Sequence, residues 1–238
     1  MKRILLTFSA LLIVPAADLA AATACGAKPS ESTISYLVTQ APGLKSDVLR
    51  LALDAAACAG QKGLLKRRDL LTVIDYSVPS TEPRLFVFDL KKRELLYREL
   101  VAHGKNSGGN VPTVFSNRHG SLATSLGLFV TADTYFGSNG YSLRLRGLEH
   151  GVNDNAWDRA IVMHGANYVS SIAIRAFGRL GRSWGCPAVR AEVSKKLINT
   201  IRGGSPIFAY YPDRNWLAQS RFLPKAKVRV ASAGAGKR

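Results

Sequence analysis

Apolar positions along the chain change rhythm twice. Between residues 45 and 59 they recur at three and four, at Val48, Leu49, Leu51, Ala52, Ala55, Ala56 and Ala59, with Gly60 and Gly63 following as breakers. That spacing lays one apolar stripe along a helix packed on the rest of the protein. From Leu70 the pattern becomes short runs of Val, Ile, Leu, Phe and Tyr between turn clusters, as in strands. Strands are predicted at Thr72–Tyr76, Arg84–Leu90, Glu94–Ala102, Leu126–Thr131, Tyr141–Arg146, Ala160–His164 and Pro206–Tyr211. Lys91-Lys92-Arg93 is a polar break of hairpin length, and Tyr141, Leu143 and Leu145 alternate with Ser142, Arg144 and Arg146, as in a strand with one buried face. After Cys186 the helical period returns, with Val189, Val193, Leu197, Ile198 and Ile201 on one face and Gly203-Gly204 as the stop. The expected fold is mainly β, with an N-terminal helix and one helix after Cys186.

Segments without this rhythm also carry information. Residues 106–125, rich in Gly, Ser, Thr and Asn, are too polar for a core and are expected to form a long loop of the kind that often bears function. Residues 221–238 hold Arg221, Lys225, Lys227, Arg229, Lys237 and Arg238 and no acid, which describes a basic tail, either a solvated terminus or a polymer-binding arm. At the other end Lys2-Arg3 precede the apolar run Ile4–Val14, and Pro15 and small residues lead to Ala24. This is the layout of a secretory signal, cleaved after Ala24 or, equally well, after Ala22. The run falls short of the roughly 20 apolar residues that a membrane span needs, and no later segment approaches that length, so no transmembrane segment is expected. The predicted destination is the periplasm or cell envelope. Cys25 then has two readings, a disulfide with Cys58 or a lipid-bearing first residue, although Ala22 stands where a lipoprotein signal usually has Leu. The disulfide leaves Cys186 as the odd thiol, which in an exported protein calls for a reason.

Composition narrows the class. With 238 residues, 47% of them apolar, and 21 Gly, 10 Pro and 3 Cys in no fixed period, the chain is neither disordered, collagenous nor disulfide-dense. Its 33 Lys and Arg against 16 Asp and Glu give a net charge of +17, which favours anionic partners and says nothing of fold.

Two short pieces concentrate chemistry. Ile161-Val162-Met163-His164-Gly165 is a strand that ends on histidine and glycine, and Gly181-Arg182-Ser183-Trp184-Gly185-Cys186-Pro187 is a turn presenting a cysteine ahead of a helix. A thiol attacks as its thiolate, and at an ordinary pKa near 8.5 only about 3% is ionised at pH 7. Lowering that pKa to about 6.5 takes roughly 2.7 kcal/mol. An imidazolium at His164, Arg182 and Arg190 nearby, and unpaired amides at the following helix are the candidate sources. The glycines around the thiol leave room for a substrate carbonyl to reach backbone amides serving as an oxyanion hole. Singly, each residue has a plain structural explanation, a buried cysteine or a hydrogen-bonded histidine; together they favour catalysis. His103, ending a strand before Gly104, is the alternative base or a residue lining the site, and His119 and His150 take no role. Four histidines without a His-x-x-x-His pair or closely spaced cysteines predict no metal and no other cofactor.

His164-Gly165 and Ser183-Trp184-Gly185-Cys186 resemble the signature of the murein L,D-transpeptidase catalytic domain family (YkuD-like), a strand-end His-Gly followed by Ser/Thr-His-Gly-Cys. Trp184 stands where the common motif has a second histidine, and the pattern looks like a branch using Ser-Trp-Gly-Cys-Pro. Leu85–Asp89, the hairpin into Val101–Lys105 and the segment Leu126–Val130 look like the family's opening, and Leu197–Tyr210 like its close, so the resemblance runs roughly from Arg84 to Pro212. It implies a β-sandwich or barrel-like catalytic domain at residues 70–216, between a signal peptide (1–24) with a helical extension (25–69) and a basic tail (217–238).

The resemblance further implies acyl transfer on peptidoglycan stem peptides. Cys186 would attack the carbonyl between diaminopimelate and D-Ala and release D-Ala, leaving a thioester for an amine of a second stem or of a wall-attached protein. His164 would be base and then acid, oriented by the Gly165 carbonyl, with amides near Gly185-Cys186 facing the oxyanion. Ser183 would support the turn, and Trp184 and His103 would line the substrate site. Ala188 occupies the common motif's Arg or Asn position, so Arg190 would take over any carboxylate contact. Stem carboxylates suit the positive charge, whereas nucleic acid is disfavoured by export and by the lack of any recognised binding motif. Two alternatives are an L,D-carboxypeptidase, with water as acceptor, and a non-catalytic wall-binding protein in which Trp184 and the arginines grip peptidoglycan.

Overall fold

The computed structural model describes residue 25 and residues 29–224; the expected signal peptide and most of the basic tail lie outside them. Helices α1 (Glu31–Gln40) and α2 (Ser46–Gln61) come first. α2 realises the helix expected at 45–59, and its Leu49, Ala52, Ala55 and Ala59 join the same apolar core as the strands. α1 was not foreseen: it buries only Ile34 and Leu37, too few to set a period, and starts where the Ser30 hydroxyl accepts from the Thr33 amide at 3.2 Å.

Nine strands follow, β1 (Leu70–Asp75), β2 (Leu85–Asp89), β3 (Glu94–Glu99), β4 (Val101–Ala102), β5 (Gly127–Gly137), β6 (Gly140–Gly147), β7 (Val162–Ala166), β8 (Ala188–Arg190) and β9 (Pro206–Tyr210). Their order is β3-β2-β1-β9-β5-β6-β7-β8-β4. The strands at the two ends of that order are separated in sequence by Leu100 alone, so the sheet curls until its edges nearly meet. The single strand expected over Glu94–Ala102 therefore breaks at Leu100, where the chain passes from one edge to the other. The fold is mainly β, as expected, with further helices α3 (Ser171–Phe177), α4 (Ala191–Ile201) and α5 (Arg214–Gln219).

β7 and β8 run parallel, with His164 beside Ala188. Val189 belongs to β8 and not to the helix face first assigned to it; the helix begins at Ala191 and buries Leu197, Ile198 and Ile201. α4 packs so closely on β7 that a Cβ at Gly165 would lie 2.5 Å from the Ser194 hydroxyl. α5 runs through residue 216, and beyond it Phe222 and Leu223 join the core. No helix among the described residues is long and apolar enough to cross a membrane.

Candidate active site

Cys186 lies two residues ahead of Ala188, level with Val162 of the neighbouring strand. The Val162 amide donates to its sulfur at 3.5 Å, and the sulfur lies 3.8 Å from the Ala160 carbonyl. His164 follows two positions along β7, on the face that Val162 shares. Its Nδ1 lies 3.0 Å from the Gly165 carbonyl, so that nitrogen carries the proton and Nε2 is the free acceptor. Both residues are buried, Cys186 8% and His164 4% exposed.

The turn that delivers the thiol is held from several sides. The Ser183 amide donates to the His103 carbonyl at 3.0 Å, and its own carbonyl accepts from the Lys105 amide at 2.8 Å. The Ser183 hydroxyl donates to the Cys186 carbonyl at 2.6 Å and accepts from the Gly185 amide at 3.1 Å. Gly185 has φ of +120°, and a Cβ there would stand 2.8 Å from the Ala123 carbonyl, so both conformation and space require glycine. Gly104 is equally confined: a Cβ would fall 2.5 Å from the Leu122 carbonyl and 2.9 Å from Cα of Gly185. Thr124 bridges these segments, accepting from the Gly104 amide at 2.9 Å and donating to the Gly185 carbonyl at 3.3 Å. The polar loop of residues 106–125 thus forms one wall of the site.

Arg159 fixes that wall. Its guanidinium donates to the carbonyls of Ser116 and Ala123, both at 2.7 Å, to the Ser121 hydroxyl at 3.1 Å, and to the Ser125 hydroxyl.

The profile of the L,D-transpeptidase catalytic domain matches residues 40–210, a span that contains His164, the Ser183–Cys186 turn and every strand. The chain belongs to this family. No curated protein sequence matches it. Solved structures similar to it include an L,D-transpeptidase from Mycobacterium smegmatis, with 14% identity and a TM-score of 0.38, covering 60% of this chain and 59% of that one. L,D-transpeptidase 1 of Mycobacterium tuberculosis gives 15% identity and 0.35, covering 60% and 62%. The helical cell shape determining protein Pgp2 of Campylobacter jejuni, as its K307A mutant, gives 13% and 0.41, covering 77% and 61%. The chain therefore spans less than two thirds of the length of these structures.

Within this L,D-transpeptidase-family site the expected residues separate. Cys186, the one free thiol, sits with Ser183 and Gly185 on the turn beside β7, the strand that carries His164 and Gly165. Trp184 points outward, 72% exposed, with the Lys105 ammonium 5.9 Å from its ring centre. Arg190 is not the open carboxylate receptor that its position suggested: both of its bonding nitrogens sit 2.8 Å from Glu99. His103 is not a rival base. It is buried behind the turn, with Nδ1 accepting from the Arg84 guanidinium at 2.8 Å. Burial and then the Arg84 charge push its pKa down to about 4, so it stays neutral at working pH. Cys25 is joined to Cys58 by a disulfide, which leaves it no thiol to carry a lipid. His150 pairs with Asp154 at 2.8 Å, and no cluster able to hold a metal occurs among the described residues.

Electrostatics differ from the sequence-based expectation of a ready-made thiolate. Burial pushes the Cys186 thiol up, and the Val162 amide and the Arg159 charge only partly counter it. Burial also pushes His164 down, against the bond to the Gly165 carbonyl. A thiol raised from an already alkaline value and an imidazole lowered below its usual 6.5 rest as a neutral pair at pH 7.

Sequence reasoning missed Arg159 and Tyr168. Burial, and then a charge on Cys186, push the Tyr168 phenol up to about 12. Neither residue lies in a recognisable motif. Arg159 is one of many arginines, and its importance arises from four contacts in a loop more than thirty residues away in sequence.

Proposed function

We propose that the chain is an exported cysteine acyltransferase that acts on peptidoglycan stem peptides. The observation that carries this reading is the placement of its one free thiol, Cys186, beside the β7 strand that bears His164 with Nε2 unprotonated. Because the pair rests neutral, the sulfur loses its proton to His164 Nε2 as it attacks the carbonyl between diaminopimelate and D-Ala. The carbonyl π electrons move onto oxygen, and the C–S bond forms. The amide of Cys186 is the group offered to that oxyanion, since the Gly185 amide is already bonded to Ser183.

When the tetrahedral intermediate collapses, the C–N bond breaks and His164 returns its proton to the departing D-Ala amine. An amine of a second stem or of a wall-attached protein then attacks the thioester carbonyl and gives its proton to His164; collapse breaks the C–S bond, and that proton returns to the Cys186 sulfur. Arg159 favours charge on the sulfur during attack. The disulfide supports placement in an oxidising compartment such as the periplasm.

Carbapenem treatment followed by intact-mass measurement tests the reading. One covalent adduct is expected on the wild type and none on Cys186→Ala; no adduct on the wild type leaves a wall-binding protein with an inert thiol. Muropeptide products then identify the acceptor. Diaminopimelate-linked dimers or protein conjugates indicate an amine, whereas shortened stems alone indicate water and an L,D-carboxypeptidase.

A further inference from the structure

One strand away from the thiol, the sheet carries a pair of arginines that the mechanism above does not use. β6 pairs with β7 so that Ser142 lies opposite His164 and Arg144 opposite Val162. Directly opposed residues present their side chains to the same face of a sheet. Arg144 therefore rises from the face that bears His164, one strand spacing of about 4.8 Å from the residue whose amide bonds the Cys186 sulfur. Tyr135 of β5, opposite Ser142, shares that face.

The arginines are held by aromatic rings. The Arg144 guanidinium carbon lies 4.6 Å from the ring centre of Tyr135 and 5.1 Å from that of Trp157. Arg146 lies 4.8 Å from the same Trp157 ring. Among the described residues neither takes part in an ion pair, in contrast to Arg190, whose guanidinium is occupied by Glu99. Stacking fixes the plane of a guanidinium while leaving its N–H edge open, and that edge matches the two oxygens of a carboxylate. Two cations share one indole, and Asp133, in the β5 bulge opposite Arg144, forms no ion pair with either, so the site gains from an anion.

We propose that Arg144 and Arg146, positioned by Tyr135 and Trp157, form a carboxylate-binding ledge for the peptide that Cys186 acylates. The ledge rests on the reading of the site as a stem-peptide acyltransferase. Its ligand is a free carboxylate of the stem, on D-Glu or on diaminopimelate. The ledge replaces the contact first expected from Arg190 and places substrate charge beside the strand that carries His164.

Binding to the Cys186→Ala protein, where no acylation intervenes, tests this directly. Calorimetric titration would use the tetrapeptide stem with both carboxylates free, and stems amidated at D-Glu or at diaminopimelate. The free acid should bind at least about tenfold tighter than one amidated form, the effect of a charged hydrogen-bonded pair. Adding Arg144→Gln and Arg146→Gln should erase that preference, with the thermal midpoint recording that the fold persists. A free-acid preference that survives in the double arginine variant overturns the ledge. If wild-type Cys186 is still acylated by the stem in that case, only the ledge fails; if no stem binds or acylates any form, the acyltransferase reading fails with it.

Discussion

The guanidinium of Arg159 donates to the carbonyl of Ala123 at 2.7 Å, and that carbonyl is the atom that a side chain at Gly185 would strike. One arginine thus holds the wall against the turn that carries the thiol and also brings positive charge toward the sulfur.

Replacing Arg159 with Met removes four hydrogen bonds to loop acceptors and a cation that favours charge on the Cys186 sulfur. Unpaired buried acceptors cost about 1–3 kcal/mol each, so thermal stability should fall. The midpoint of the iodoacetamide alkylation pH profile should also move upward. Arg159→Lys should restore part of the midpoint shift while recovering less of the stability, because an ammonium cannot span the same set of acceptors. A wild-type alkylation profile in Arg159→Met would show that this charge does not act on Cys186.

The turn itself is tested at Gly185. Gly185→Ala forces a non-glycine residue to φ of +120° and pushes a methyl group toward backbone. A loss of about 1–3 kcal/mol in urea unfolding and a fall of at least tenfold in carbapenem acylation are expected. An alanine variant as stable and reactive as wild type would show that this backbone conformation is dispensable.

Ser183→Ala leaves the Cys186 carbonyl and the Gly185 amide without their shared partner. Acylation should slow by about tenfold or more, and Ser183→Thr, which keeps the hydroxyl, should recover most of it. Equal rates in the alanine and threonine variants would assign Ser183 no positioning role.

His103 gives a pH signature of stability. Its folded pKa of about 4 lies below the unfolded value near 6.5, so the unfolded chain binds the proton first. The stability this provides is complete above pH 6.5 and is lost as pH falls toward 4. Urea unfolding of His103→Gln, in which the amide oxygen can still accept from Arg84, should show a shallower loss over that window than wild type. Parallel curves would place the acid lability elsewhere.

Much of the candidate pair, His164 and Cys186, was legible because its signals are local. A strand ending in His164-Gly165 and a glycine turn before Cys186 are each written within seven residues, and the alternation of Tyr141, Leu143 and Leu145 marks the buried face of β6. Features set by contacts distant in sequence were not legible. β8 is three residues long and becomes a strand only by lying between β7 and β4. α3 buries Ala173 alone, and its Ile172 and Phe177 are exposed, so its sequence offers no stripe to detect. The charge of Arg190 suggested a substrate contact, but its partner Glu99 sits on β3, brought near by closure of the sheet. Burial likewise reversed the expected thiol pKa, because the sequence shows which groups neighbour Cys186 along the chain and not how dry its surroundings are.

The most direct measurement is mass analysis of Cys186 after brief incubation with a disaccharide tetrapeptide, together with a count of released D-Ala. The mechanism predicts a thioester on Cys186 whose mass equals the donor less D-Ala, formed one-for-one with free D-Ala and absent in His164→Ala over the same interval. Release of D-Ala by the Cys186→Ala protein, or an intact donor after prolonged incubation with wild type, would contradict it.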